Sequence, residues 1–304
     1  MLEPSGLYFK VGDAAFSGEK PRVLLISMGV LVDAGHVAKQ ISTEILNSLR
    51  SETLVDFDLD QLIDYRARRP LMTFDGETFT DVETRELALY QIQDQEGDSF
   101  FMLAGPEPDF QWERMMNAVE ELVDLFRVDL VISVNGVPMG VPHTRPYGLT
   151  KHATSKSLIP DNQPIFGEMQ FPGSFVNLLE YTLGQRGHDV VGISVHVPHY
   201  LSNSSIPEAA LTGLRAVISM TGLSLPTSSL AVATGISRAT IDAELSESDE
   251  AQMMVALLEE QYDKFMEGVG GAPPLAASLD ELPTADEIGA EFEQYLRNQD
   301  DKDG

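Results

Sequence analysis

The sequence predicts an α/β protein with a mixed sheet, on three observations. Short continuous apolar runs such as Arg22-Val-Leu-Leu-Ile-Ser-Met28 have the character of strands buried on both faces. Stripes such as Val37, Ile41, Ile45 and Leu49 recur at helical spacing after such runs. Asp75-Gly76 stands between two short β-prone runs, the signal of a tight hairpin, so the sheet includes antiparallel pairs.

Pro21 to Gly29 contains the first strand, and a turn through Asp33, Ala34, Gly35 and His36 leads into the first helix. Asp33 is suited to cap that helix, and Gly35 lets another backbone or a ligand come close. The turn lacks the dinucleotide fingerprint and the Lys-Ser/Thr of a nucleotide loop. Thr53 to Leu59 contains the next strand, followed by Arg66, Arg68 and Arg69, a local basic run that suits a solvated face or partners for nearby acids. Residues 71–80 form the hairpin, and Leu87 to Ile92 and Phe100 to Leu103 are two further strands. Gly105-Pro-Glu107-Pro-Asp109 then precedes a helix with Met115, Val119, Leu122, Val123 and Phe126 on one stripe, Asp109 as its expected N-cap and Trp112 as core. Glu107, held between prolines, faces either a ligand crevice or water.

Val128 to Val134 is a buried strand, and the Gly and Pro residues of Asn135-Gly-Val-Pro-Met-Gly-Val-Pro-His143-Thr-Arg145-Pro146 are expected to end its ladder. His143 offers a titratable imidazole and Arg145 a five-donor fork, outside a strand end where open α/β sheets place ligands. The competing expectation is that Arg145 pairs with one of the many carboxylates and His143 caps a turn. Lys151 to Lys156 is a polar segment expected as a flexible rim, and Pro164 to Gln170, with Glu168, as a short strand. Ser174 opens a helix through Phe175, Leu178, Leu179 and Leu183. In the strand Asp189 to Pro198, Gly192 and Ser194 lie beneath His196 and leave room for a ligand or a close-packed helix; His199 lies in the loop beyond.

Pro207 begins a helix that Gly222 ends, and Ile236 to Met266 is helical throughout. The expected organisation is an α/β core with a C-terminal helical cover over residues 1–266, then a linker, a short acidic helix and a tail over 267–304. Thr284-Ala-Asp-Glu287 is a capping box for that short helix.

Composition narrows the function. The 304 residues contain no cysteine, which excludes disulfides, thiolate nucleophiles and cysteine-ligated zinc. Forty-eight acidic against 20 basic residues give a formal charge of −28, which repels phosphate backbones and anionic membrane surfaces. No apolar run has membrane length and no basic-then-apolar leader opens the chain, so the expected location is the cytoplasm. His143, His196 and His199 with Glu107 or Glu168 are ligand types that zinc accepts. The two rings of His196-Val-Pro-His199 are not brought to one face by any helical period, so a His-rich crevice without metal or cofactor is expected.

Four motifs in order carry a resemblance: Asp33-Ala-Gly35, Gly105-Pro-Glu107-Pro-Asp109 with Trp112, Val141-Pro-His143-Thr-Arg145-Pro146, and Val195-His196-Val-Pro-His199-Tyr200. Together they look like the bacterial, actinobacterial-type branch of the proteasome assembly chaperone 2 family, over the first strand to about residue 265. The resemblance implies a three-layer α/β/α, phosphorylase/hydrolase-like fold, and similarity to chaperones that escort proteasome subunits. Some members carry the label carboxylate-amine ligase, and no family catalytic residues transfer. Two expectations follow. One is a homo-oligomeric binding or scaffold protein, with three subunits as the working number and a protein partner of basic surface. The other is a small-ligand binder or enzyme of hydrolase or ligase type, using Asp33, Gly35, Glu107, His143, Arg145, Glu168, His196 and His199.

Overall fold

The computed structural model describes residues 3–14, 20–29, 32–160, 162, 164 and 166–267. The chain runs β1 (Tyr8–Lys10), β2 (Val23–Gly29), α1 (Val37–Ser48), β3 (Ser51–Phe57), α2 (Leu59–Leu62), β4 (Met72–Asp75), β5 (Thr78–Val82), β6 (Ala88–Gln93), β7 (Ser99–Pro106) and α3 (Trp112–Phe126). It continues with β8 (Leu130–Met139), β9 (Leu149–Ala153), α4 (Phe175–Gln185), β10 (Val190–Pro198), α5 (Pro207–Thr221), α6 (Ser228–Ser246) and α7 (Asp249–Glu267).

Eight strands form one mixed sheet in the order β1-β3-β6-β7-β2-β8-β10-β9. β2 lies between β7 and β8 and is parallel to both, and β8 is parallel to β10. β6 is antiparallel to both β3 and β7, as the closely spaced strand signals predict. Alternation along β2 separates two cores. Val23 and Leu25 pack with Val37, Ile41 and Ile45 of α1 and Leu214 and Val217 of α5. Leu24, Ile26 and Met28 pack on the other face with Met115 and Leu122 of α3 and Phe175 and Leu179 of α4. The result is the expected three-layer α/β/α arrangement, because β2 is buried on both sides and each face needs its own helices. Among the described residues no helix is long and apolar enough to cross a membrane.

Several local expectations are corrected. β8 does not end at Val134: its pairing with β10 continues through Asn135↔Ser194 to Met139↔Pro198. Its pairing with β2 stops at Ser133. Beyond that point β8 has a neighbour on one side only, and a proline whose missing N–H faces the vacant side removes no ladder bond. Lys151 to Lys156 is not a loose rim, since Leu149–Ala153 is β9, the antiparallel edge strand on β10. Pro164 to Gln170 is not a strand: the described residues there are coil, with Glu168 exposed. The C-terminal pattern divides into α6 and α7 at the polar Ser246-Glu247-Ser248. β4 and β5 do form the Asp75-Gly76 hairpin, as a separate two-stranded sheet exposed along its length. Residues 268–304, with the linker and the capping box Thr284 to Glu287, lie outside the described residues.

Candidate functional site

Apart from Glu168, the candidate residues gather at the carboxyl ends of the parallel strands. Each but His199, whose Nδ1 is buried without a hydrogen-bond partner among the described residues, is held there by a bond to a neighbouring element. After β2, the Asp33 carboxylate accepts from the Ala38 amide at 3.0 and 3.1 Å and from the Lys39 amide at 3.4 Å, so it caps α1 from one turn back. It also accepts from the Gly136 amide at 3.1 Å, tying the turn to β8. Burial pushes this carboxyl up, against the pull of those amides. A side chain at Gly136 would place its Cβ 1.9 Å from the Ala34 carbonyl oxygen, so only glycine lets β8 pass. Gly35 has φ 68°; its N–H donates to Ser202 at 2.8 Å and its carbonyl accepts from Ile206 at 3.0 Å. The backbone that Gly35 admits is the loop leading into α5.

After β7, Glu107 is buried and accepts from the Phe175 amide at 2.5 Å, at the first turn of α4, where a negative group also complements the helix dipole. Its carbonyl accepts from Arg68 at 2.9 Å. Asp109 is not the N-cap of α3: it pairs with Arg68 at 2.7 Å and accepts from the Asp64 amide at 2.7 Å, while Gln111 takes the cap position in a left-handed conformation.

After β8, His143 is buried, its Nδ1 2.7 Å from the Tyr200 hydroxyl and its Nε2 3.1 Å from Asp242 of α6. The His143 amide donates to the same hydroxyl at 2.9 Å, and burial pushes that phenol up to about 12. Arg145 forks onto Asp263 of α7 at 2.8 and 2.6 Å and reaches Glu259 at 3.1 Å. The Asp263 carboxylate raises the guanidinium further above its ordinary range. Thr144 donates to Glu259, and Tyr262 donates to the Pro146 carbonyl at 3.1 Å. This loop is therefore a seat for the helical pair α6–α7, and the expectation that Arg145 pairs with a carboxylate is the one realised.

On β10, His196 is 6 % exposed, and its Nε2 lies 2.7 Å from the Thr150 hydroxyl of β9. Burial pulls its pKa down to about 4, so the ring is neutral at pH 7. His199 stacks edge-on against Tyr200, whose ring also meets His143, so these two histidines share one tyrosine. Glu168 is exposed and is not brought to the others. Among the described residues no group of three His, Cys, Asp or Glu side chains is arranged to hold a metal ion.

Two features escaped the sequence reading. Glu180 of α4 is buried, accepts from Ser133 of β8, and lies 2.7 Å from His152 Nε2 of β9. Burial lowers the His152 pKa, but the Glu180 carboxylate outweighs it and the net shift is upward. The available signal was a carboxylate at a stripe position of α4, between the buried Val176 and Leu183. The second feature is a small crevice where β2 and β8 diverge beyond Ile26↔Ser133, lined by Met28, Ser133, Asn135, Ser174 and Asn177 among others. None of the eight candidate residues lines it.

Residues 30–242 match the PAC2 family. The chain belongs to the PAC2 family. This PAC2 chain is 42% identical to Mycobacterium tuberculosis Rv2714, a protein of unknown function, with a TM-score of 0.84 over 88% of this chain and 92% of that one. A protein of unknown function from Corynebacterium glutamicum is 34% identical, with a TM-score of 0.81 over 86% and 98%. The Mycobacterium tuberculosis proteasome-assembly chaperone homologue Rv2125 shares the fold at 20% identity, with a TM-score of 0.68 over 77% and 99%. No curated protein matches the chain.

Proposed function

We propose that this PAC2 protein is a homo-oligomeric, protein-binding scaffold of the assembly-chaperone kind, working in the cytoplasm, and that its strand-end polar residues hold the scaffold together. The observation that carries this reading is Arg145, whose fork is filled by Asp263 and Glu259 of the chain itself. A guanidinium that recognises a ligand carboxylate or phosphate presents the same donors to it. The kinship with a chain described as a proteasome-assembly chaperone homologue supports the class of role. The charge of −28 supports a partner of basic surface, bound more weakly at high salt.

A second reading has its own support. The crevice beside β2 and β8 lies outside the carboxyl ends of parallel strands, where open α/β sheets take ligands, and Ser133, Asn135, Ser174 and Asn177 give it polar walls. As its walls stand it has room for about one water molecule, so a larger hydrogen-bonding ligand would need Met28 and Val176 to move aside.

Native mass spectrometry of untagged protein, gently purified from its own cells, separates the two. The scaffold reading predicts a homo-oligomer with a stoichiometric protein companion. A retained small molecule that is lost in Asn135→Leu, a substitution in the crevice wall, contradicts it.

A further inference from the structure

α6 is apolar on two opposite sides. Leu230 and Ile241, eleven residues apart, are buried and mark the face turned to the domain. At about 100° per residue, Val232, Ile236, Ala239 and Ala243 point the other way, with Ser228 and Ser246 at the ends of the stripe. All six are exposed, Val232 to 69 % and Ile236 to 68 %. A solvated helix face carries charge, and a helix apolar all round is a buried one. Of the charged residues beside this stripe, Arg238 forks onto Glu208 at 2.6 Å and Asp242 meets His143 at 3.1 Å, while Glu247 stands exposed just past its C-terminal end. The outward face of α7 is the contrast, since Glu250, Glu260 and Lys264 surround its exposed Met253 and Leu257.

We propose that the outward stripe of α6 is the surface on which one copy of this chain packs against a second copy. The proposal rests on the homo-oligomeric reading above and names its interface. Charge decides the occupant. Each copy carries −28, so two copies associate where the contact brings the least acid, and the six residues of this stripe carry no charge. A basic partner gains its affinity from the acidic surface and has no electrostatic use for a neutral face. The small side chains Ala239 and Ala243, with Gly235 beside them and open space where its Cβ would stand, allow two helices to approach closely.

The test is analytical ultracentrifugation of the full-length protein over a range of concentrations. Ile236→Glu is expected to reduce the assembly to monomer, while Leu257→Glu on α7 leaves it assembled. Because the chain has no cysteine, Ala239→Cys gives a second measurement that does not depend on a disruptive substitution. Maleimide labelling there is expected to be about tenfold slower in concentrated than in diluted protein. An oligomeric wild type that Ile236→Glu leaves intact, with Ala239→Cys equally reactive at all concentrations, overturns the interface and spares the homo-oligomeric reading. A wild type that is monomeric throughout overturns both. Protection of Ala239→Cys only by an added companion protein assigns the stripe to that companion and overturns the second copy.

Discussion

Two carboxylate clusters, one reaching the loop after β8 and one reaching β8 itself, do their work in different surroundings. Asp263 and Glu259 hold Arg145 at a half-exposed surface and fasten α7 to the loop after β8. Glu180 holds Ser133 and His152 between α4 and the sheet, with its own side chain almost fully covered. In water-facing surroundings the ion pairs are screened and their loss is partly made good by solvent. Inside, the buried Ser133 hydroxyl has no water to replace a deleted Glu180, although half-exposed His152 does, so the smaller cluster is the more costly to break.

The sharpest way to break this contrast is Glu180→Ala. It is expected to cost roughly 2 kcal/mol in urea unfolding, because the buried Ser133 hydroxyl loses its acceptor and the half-exposed His152 ring loses its partner. A cost near zero would erase the distinction. Similar in size is the acid response of His196, whose folded pKa of about 4 lies below the ordinary histidine value. Between about pH 6.5 and 4 the unfolded chain binds the proton and the folded one does not, so stability falls as pH falls, by roughly 3 kcal/mol in all. His196→Gln should flatten that slope in denaturation curves taken across the pH series.

His152, half-exposed on the neighbouring strand, has the opposite sign. Its folded pKa is raised by Glu180, so its contribution is complete below about pH 6.5 and is lost as pH rises through the folded value. His152→Ala should therefore lower the urea midpoint at acidic pH and leave it unchanged once wild-type His152 is neutral. The smallest effect separates the clusters by ionic strength. Raising salt to about 1 M, where the screening length is about 3 Å, should speed amide exchange in α7 slightly and leave the Glu180→Ala penalty as it was.

The layers of the fold were legible because burial on both faces of a strand leaves a continuous apolar run, as in β2, and a core-facing helix leaves a stripe, as in α1 and α3. Asp75-Gly76 marked its hairpin for an equally local reason. β9 was illegible because an edge strand needs only one apolar face, and Leu149-Thr-Lys-His-Ala153 shows little of it. The true length of β8 was illegible because the tolerance of Pro138 depends on β2 turning away, which no local pattern records. At the strand ends the sequence singled out Asp33, Glu107, His143 and Arg145, and each occupies a defined position there. What it could not supply was the partner. His143 meets Asp242 across 99 residues and Arg145 meets Asp263 across 118, so whether each fork or ring faced a ligand or a helix was decided by topology alone.

Hydrogen exchange of the Arg145→Ala protein, read peptide by peptide, tests most directly whether these residues fasten the molecule. The expected result is exchange up to about fivefold faster in residues 249–267 and in the loop 142–146, with β2, β7 and β8 unchanged. Unchanged protection of residues 249–267, together with loss of a small molecule that the wild type retains, would contradict the account and make Arg145 a ligand-binding residue.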